Sequence, residues 1–175
     1  DGSHDVMLFS DTGKVIRFPE ADVRAMGRNA RGVRGIRMAE NQKVISLIIV
    51  EAGTSVLTAT EHWYGKRTPI DDHSPQSRGG QGVISIQTSE RNGKVIGAVA
   101  VHENDEIMLI TSQGTLIRTE VAGVSSMGRN TQGVRLVAVG EGEKLGGLER
   151  IAEVFGDQGE QGEAGGVEPT PPPVA

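Results

Sequence analysis

The stretch that decides the fold is VMLFSDTGKVIRF, residues 6 to 18, because it returns as IMLITSQGTLIRT at residues 107 to 119. MGRNARGVR at 26 to 34 returns as MGRNTQGVR at 127 to 135, and both displacements are 101 positions. A more divergent copy lies between them, as VLTATEHWYGKRT at 56 to 68, SRGGQGVISI at 77 to 86 and KVIGAVAV at 94 to 101. Self-similarity at a fixed period means one supersecondary unit stacked on itself. Three units of about 50 residues therefore fill positions 5 to 153.

Inside a unit the apolar residues recur with period two. Val6 to Phe9 and Val15 to Phe18 flank SDTGK, a tight turn whose Gly13 is free to take positive φ, so the pattern predicts a hairpin. An extended segment and a glycine-rich basic loop follow. GVRGIRM and VISLIIV, separated by the turn ENQK, then read as a second strand pair, and EADVRAM holds at most one helical turn. Four short strands per repeat predict an all-β chain of propeller-like blades, assigned to residues 1–52, 53–104 and 105–154. Closed propellers need roughly 4 to 8 blades, so three do not close. Either the missing blades lie upstream in a longer chain, which is the expectation, or the three form an open arc.

The chain has 175 residues and 36% hydrophobic content, enough for one ordinary core, and aromatics are only 3%, so packing rests on Val, Ile, Leu and Met. It has no cysteine, which excludes disulfides and thiolate metal sites and fits a reducing cytosol. No apolar run reaches membrane-spanning length, and no signal peptide stands at the start. Residues 155–175 combine glycine, proline and acid with almost nothing apolar, and read as a disordered tail. That tail holds Asp157, Glu160, Glu163 and Glu168 and no lysine or arginine, so it carries four of the five net negative charges of the chain. Positive charge is concentrated instead in RAMGRNARGVRGIR, residues 24 to 37, with five arginines and no acid. Such a loop meets a polyanion whatever the net charge, because the local field decides where phosphate docks.

The repeated loops GRNARGVRGI, SRGGQGVISI and GRNTQGVRLV, together with YGKRTP, resemble the C-terminal domain of the A subunit of bacterial DNA gyrase. The resemblance covers roughly residues 5 to 153 and implies a beta-pinwheel, a propeller relative of about six blades that exchange strands. Its three repeats would be the C-terminal half. It further implies a non-catalytic module of an ATP-hydrolysing DNA topoisomerase, an isomerase of the bacterial cytoplasm and nucleoid, whose basic rim binds and wraps double-stranded DNA so that negative supercoiling becomes directional. The implied partners are double-stranded DNA, the gyrase B subunit, and the upstream part of the same polypeptide, with ATP and magnesium acting elsewhere and no cofactor here. The family's hallmark Gln-Arg-Arg-Gly-Gly-Lys-Gly heptad belongs to the first blade. QSRGGQG, Gln76 to Gly82, is its nearest relative here, with Ser77 and Gln81 replacing two of the three cations. The similar domain of topoisomerase IV is the close alternative.

Glycines let a loop backbone approach phosphates, and arginines supply forked, permanently charged donors. With no zinc finger, recognition helix or aromatic series, sequence-independent contact to the DNA backbone is the expected mode. The candidate DNA-binding residues are Arg24, Arg28, Arg31, Arg34, Lys66, Arg67, Arg78, Arg129 and Arg135. In an extended GVRGIRM, Arg34 and Arg37 lie on opposite faces, so Arg37 is left out.

Catalytic readings fail one by one. Tyr64 is the only tyrosine, but it sits in a hairpin turn and reads as packing beside Trp63, and the resemblance puts the nucleophilic tyrosine outside this segment. His62 and His73 lack partners at metal-ligand spacing. YGKRT lacks the glycine spacing and following helix of a P-loop, and the adjacent Asp71 and Asp72 diverge on an extended chain. The rival of a different class is a protein-binding propeller fragment without DNA affinity, its arginines pairing with a partner's carboxylates.

Overall fold

The hairpin expected from residues 6 to 18 forms as β1 (Asp5–Ser10) and β2 (Lys14–Pro19), with Gly13 at φ +83° in the turn. The structure, a computed structural model, describes residues 2–138 and 142–151. The first repeat is completed by β3 (Val44–Ile49). The second contains β4 (Ser55–Thr60), β5 (Tyr64–Pro69), β6 (Val83–Ile84) and β7 (Val95–Val101). The third contains β8 (Glu106–Thr111), β9 (Leu116–Glu120), β10 (Val134–Arg135) and β11 (Leu145–Ile151). A single 3-10 turn follows the hairpin in each repeat, at Glu20–Asp22, Ile70–Asp72 and Val121–Gly123.

The strand pairing departs from the sequence pattern at one point. GVRGIRM and VISLIIV do not pair within their repeat. Instead β6 crosses back to the first repeat and pairs with β2, Lys14 opposite Ile84 and Val15 opposite Val83, while β10 pairs with β5, Val134 opposite Gly65. The sheets accordingly run β3-β1-β2-β6, β10-β5-β4-β7 and β11-β8-β9. Period-two patterning says that a segment is extended but not which edge it joins, and that is why the reading erred.

Each donated strand enters through a glycine. Gly82 has φ +70°, and a Cβ there would run into the carbonyl oxygen of Val15. At Gly133, φ +76°, a Cβ would lie 2.6 Å from the carbonyl oxygen of Gly65. Gly32 adopts the same conformation, φ +78°, but faces open space, since among the described residues no sheet edge receives its segment. The opposite end matches: Leu116 is 61% exposed on β9, whereas its counterpart Val15, covered by β6, is buried.

The cores lie between sheets. Alternation along the strands points Met7, Phe9, Val15 and Ile48 at Val56, Ile70 and Ala98 of the next repeat. Leu57, Ala59 and Trp63 point in turn at Ile107, Leu109, Leu145 and Leu148. Full burial of such a side chain contributes about 1.5–3 kcal/mol, so stacking rather than any single sheet holds the array. Strands β3, β7 and β11 pack on one another in succession and form the hub, which leaves the β2–β6 and β5–β10 edges as the rim. Trp63 occupies the turn position of Gly13 and Gly114 yet has φ +67°. Left-handed backbone costs about 1–2 kcal/mol, less than the roughly 3–5 kcal/mol at stake in burying a tryptophan. Its indole N–H also donates to the Glu143 carbonyl at 2.8 Å. The segment from Phe155 onward lies outside the described residues.

Replacing Gly114 by Ala, where φ is +88° with nothing within 4 Å, is expected to cost about 1–2 kcal/mol. Gly13→Ala adds a backbone collision with the Ile86 carbonyl of the second repeat and should exceed that by about 1–3 kcal/mol. Denaturant unfolding of the two variants compares them directly. Equal losses would mean that the close approach at the exchanged strand is soft.

Candidate nucleic-acid interface

The loops 73–82 and 124–133 connect a 3-10 turn to the strand donated backwards, so strand exchange itself sets them along the rim, and loop 23–32 holds the same place after the first 3-10 turn. They are joined to one another. Arg78 donates from Nη1 to the Arg34 carbonyl at 2.5 Å and from Nε to the Asp22 carbonyl at 3.2 Å. One repeat later, Arg129 Nη1 donates to the Ile84 carbonyl at 2.9 Å, and Ile84 holds the position of Arg34. The Arg37 amide donates to the Gly80 carbonyl and the Gln87 amide to the Thr131 carbonyl, again at corresponding positions. Asn92, fully buried, adds donation to the carbonyls of Gln87 and Gln132.

The nine candidate residues divide into three groups. Arg24, Arg28, Arg31, Arg34 and Arg135 are exposed and make no ion pair among the described residues. Arg37, which the sequence reading set aside, is exposed beside them. Arg78 and Arg129 are half-buried, each with part of its guanidinium committed to a neighbouring loop.

Lys66 and Arg67 are corrections. Lys66 is fully buried on β5, and its ammonium donates to the carbonyls of Gly128 at 2.6 Å and Arg129 at 2.5 Å and to the Thr131 hydroxyl at 3.1 Å. Burial first, and the Arg129 charge second, push its pKa down to about 8, against the opposing pull of Asp72. Arg67 has a side chain only 14% exposed; it donates to the Val124 carbonyl at 2.7 Å and lies 3.7 Å from the Glu103 carboxylate. Its counterpart Arg17 braces the first junction the same way, donating to the carbonyls of Ile70 and His73. Neither Lys66 nor Arg67 faces solvent as a phosphate ligand.

A signal for both was available in the repeat alignment. Lys66 stands where the other units have Ile16 and Ile117, an apolar register, and an arginine present in all three units at 17, 67 and 118 is as expected for a brace as for a ligand. His73 replaces Val23 and Val124 in the same manner and is buried, with neither ring nitrogen hydrogen-bonded. Tyr64 lies under Arg91, whose guanidinium carbon is 5.1 Å from the ring centroid and whose Nε donates to the phenol oxygen at 2.9 Å. Among the described residues no three His, Asp or Glu side chains gather as a metal site.

Comparison with known proteins matches residues 4–51, 54–102 and 105–151 to the family described as DNA gyrase C-terminal domain, beta-propeller. The chain belongs to this family. The DNA gyrase A subunit of Pseudomonas aeruginosa is 56% identical over 160 residues, covering 91% of this chain and 17% of that protein. Its counterpart in Escherichia coli strain K12 is 54% identical over 152 residues, covering 87% and 17%. The chain thus spans less than a fifth of these relatives. A solved DNA gyrase A C-terminal domain superposes with TM-score 0.78 at 27% identity, over 86% of this chain and 51% of that one. The C-terminal domain of DNA topoisomerase IV shares the fold, with TM-score 0.80 at 21% identity, over 86% and 47%.

His73 gives this gyrase-type domain a pH signature. Burial holds its pKa down to about 4, below the ordinary 6.5, so the fold favours the neutral ring. Stability from this group is complete above pH 6.5 and is lost as pH falls towards 4, by up to about 3 kcal/mol. His73→Val, the residue of the other two repeats, should be more stable at pH 4.5 than the parent and flatten that loss. Denaturation midpoints at pH 4.5 and 7 measure it, and an undiminished acid loss in the variant would exclude His73 as the cause.

Proposed function

We propose that this chain is the sequence-independent DNA-binding and wrapping module of a type IIA topoisomerase of the gyrase kind, and that it gives direction to ATP-dependent negative supercoiling. The observation that carries the reading is the rim. Five exposed arginines, Arg24, Arg28, Arg31, Arg34 and Arg37, lie on one segment without ion pairs among the described residues, and the line continues in register through Arg78, Arg129 and Arg135. Unpaired guanidinium groups on a surface are suited to phosphate, which they meet in forked, charge-assisted hydrogen bonds. Among the described residues the only helices are three 3-10 turns of three residues each, too short to enter a major groove, which favours the phosphate backbone as the part of the duplex that is met.

On this reading strand cleavage, ATP and magnesium belong to other parts of the enzyme, and the partners are the gyrase B subunit and the upstream part of the same polypeptide. The setting is the bacterial cytoplasm, at the nucleoid. Among the described residues no helix is long and apolar enough to cross a membrane.

The chain should bind duplexes of unrelated sequence with similar affinity. If roughly four to six phosphates are neutralised, the slope of log K against log salt concentration is about −4 to −5. Exchanging Arg28, Arg31 and Arg135 for glutamate should abolish most of the binding while changing stability by no more than about 0.5 kcal/mol per site, since all three are exposed. Fluorescence anisotropy of a labelled duplex between about 50 and 200 mM salt reads both the slope and the loss. Unchanged binding in the triple variant would transfer the arginines to a protein partner.

A further inference from the structure

The loop over Lys66 differs from the other two in a way that the arrangement of arginines does not explain. In each repeat the position beneath the following loop is apolar, except in the second, where Lys66 replaces the Ile16 and Ile117 of the others. Its ammonium holds the carbonyl oxygens of Gly128 and Arg129 from below, 2.6 and 2.5 Å away, and Thr131 is tied in by its hydroxyl. A trans peptide points its N–H opposite to its C=O. With the carbonyls of Gly128 and Arg129 drawn inward, the N–H groups of Arg129 and Asn130 are directed away from the buried lysine. Neither has an acceptor among the described residues, and Asn130 is exposed. Successive amides left free on the solvent side of a turn are donors suited to an anion.

The corresponding loop of the second repeat lacks this arrangement. Gly79, which holds the place of Asn130, donates its N–H to the Gly35 carbonyl at 2.6 Å, and Ile16 lies below Gly80. Among the described residues, a lysine holding the loop carbonyls from below occurs only at residues 128 to 131.

We propose that Lys66 shapes Gly128–Thr131 into a phosphate seat, in which the amides of Arg129 and Asn130 receive one phosphodiester oxygen of a DNA strand running along the rim. The proposal rests on the DNA-binding reading for its ligand, and adds a main-chain site and a buried positioning residue to it. Arg129 takes part through its backbone while its side chain stays bonded to Ile84. The charged groups that bear on Lys66 are Arg129 from the loop above and Asp72 from the 3-10 turn, with the neutral His73 next to it. Their balance, dominated by burial, keeps the ammonium pKa near 8, so a pH change from 7 to 9 removes one of its donors without a mutation.

The test uses the whole chain, first with inorganic phosphate and then with a short duplex, and follows backbone amide resonances. Addition of phosphate at neutral pH is expected to move the Arg129 and Asn130 amides most, and Lys66→Met or Lys66→Ile should remove that response. The same variants should weaken duplex binding about ten-fold or more, the equivalent of one charge-assisted hydrogen bond. Amide responses that survive both substitutions, or that never occur at these two residues, overturn the seat even if the duplex still binds through the arginines. A duplex that does not bind while phosphate still moves the two amides defeats the DNA reading and leaves the anion seat standing. Should neither variant fold, the parent chain decides: duplex affinity falling through an inflection near pH 8 supports the role of Lys66, and a flat profile from pH 7 to 9 overturns it.

Discussion

The short strand that each repeat hands back to the one before it is the contact on which the rest of the structure depends. β6 meets β2, and β10 meets β5, over only two opposed residue pairs each. That ladder is small, yet it closes the otherwise open edge of the sheet, covers Val15, and fixes where the next loop begins. Where no strand is received, at β9, Leu116 is left in solvent. The hydrophobic clusters between sheets supply most of the stabilisation, but apolar burial is non-directional and does not set spacing. The exchanged strand does, because its hydrogen bonds and its left-handed glycine allow one register.

The exchange also explains how side-chain volumes can trade places at different junctions. At the first, the receiving position is Val15, opposite Val83, and the donated strand is followed by the small Ser85. At the second, the receiving position is Gly65, and the Ser85 position is Leu136, whose methyl would lie 2.7 Å from a Cβ added at Gly65. A large and a small residue thus exchange places between the corresponding positions of the two junctions. Interiors packed at crystal density accept such paired changes far more readily than single ones. This is one reason the middle repeat could diverge so far in sequence while keeping its hairpin, its 3-10 turn and its donated strand.

Much of the fold was legible because period two and a fixed displacement are properties of the chain itself. The hairpins, the left-handed Gly13 and the single turn within EADVRAM all follow from local sequence. The partner of GVR was not legible, since a strand of two residues carries no pattern that names the edge it joins. Exposure was legible from charge at Arg28 and Arg31, and misread where charge was buried, as at Lys66 and Arg67. A lysine in a loop-like stretch YGKRT looks like surface. Only its register against Ile16 and Ile117 places it inside, so the three repeats serve as one another's alignment.

The same comparison separates two kinds of buried polar group in the second repeat. His73 stands where valine serves twice elsewhere, and its burial disfavours the charged ring, so it costs stability in acid. Lys66 also stands in an apolar register, but each of its bonds goes to the loop of the next repeat. A buried charge retained against its desolvation cost constrains the geometry of whatever satisfies it. Here it constrains a rim loop that is tied through Gln87 and Asn92 to the main chain behind it. A duplex held by its phosphates can be bent only against a surface stiffer than itself, since smooth bending over roughly 20–30 base pairs costs of order 1–6 kcal/mol. The rim loops are joined backbone to backbone, and one is fastened from below, so a ligand engaging one of them would meet the others in a fixed relation rather than as side chains that move independently.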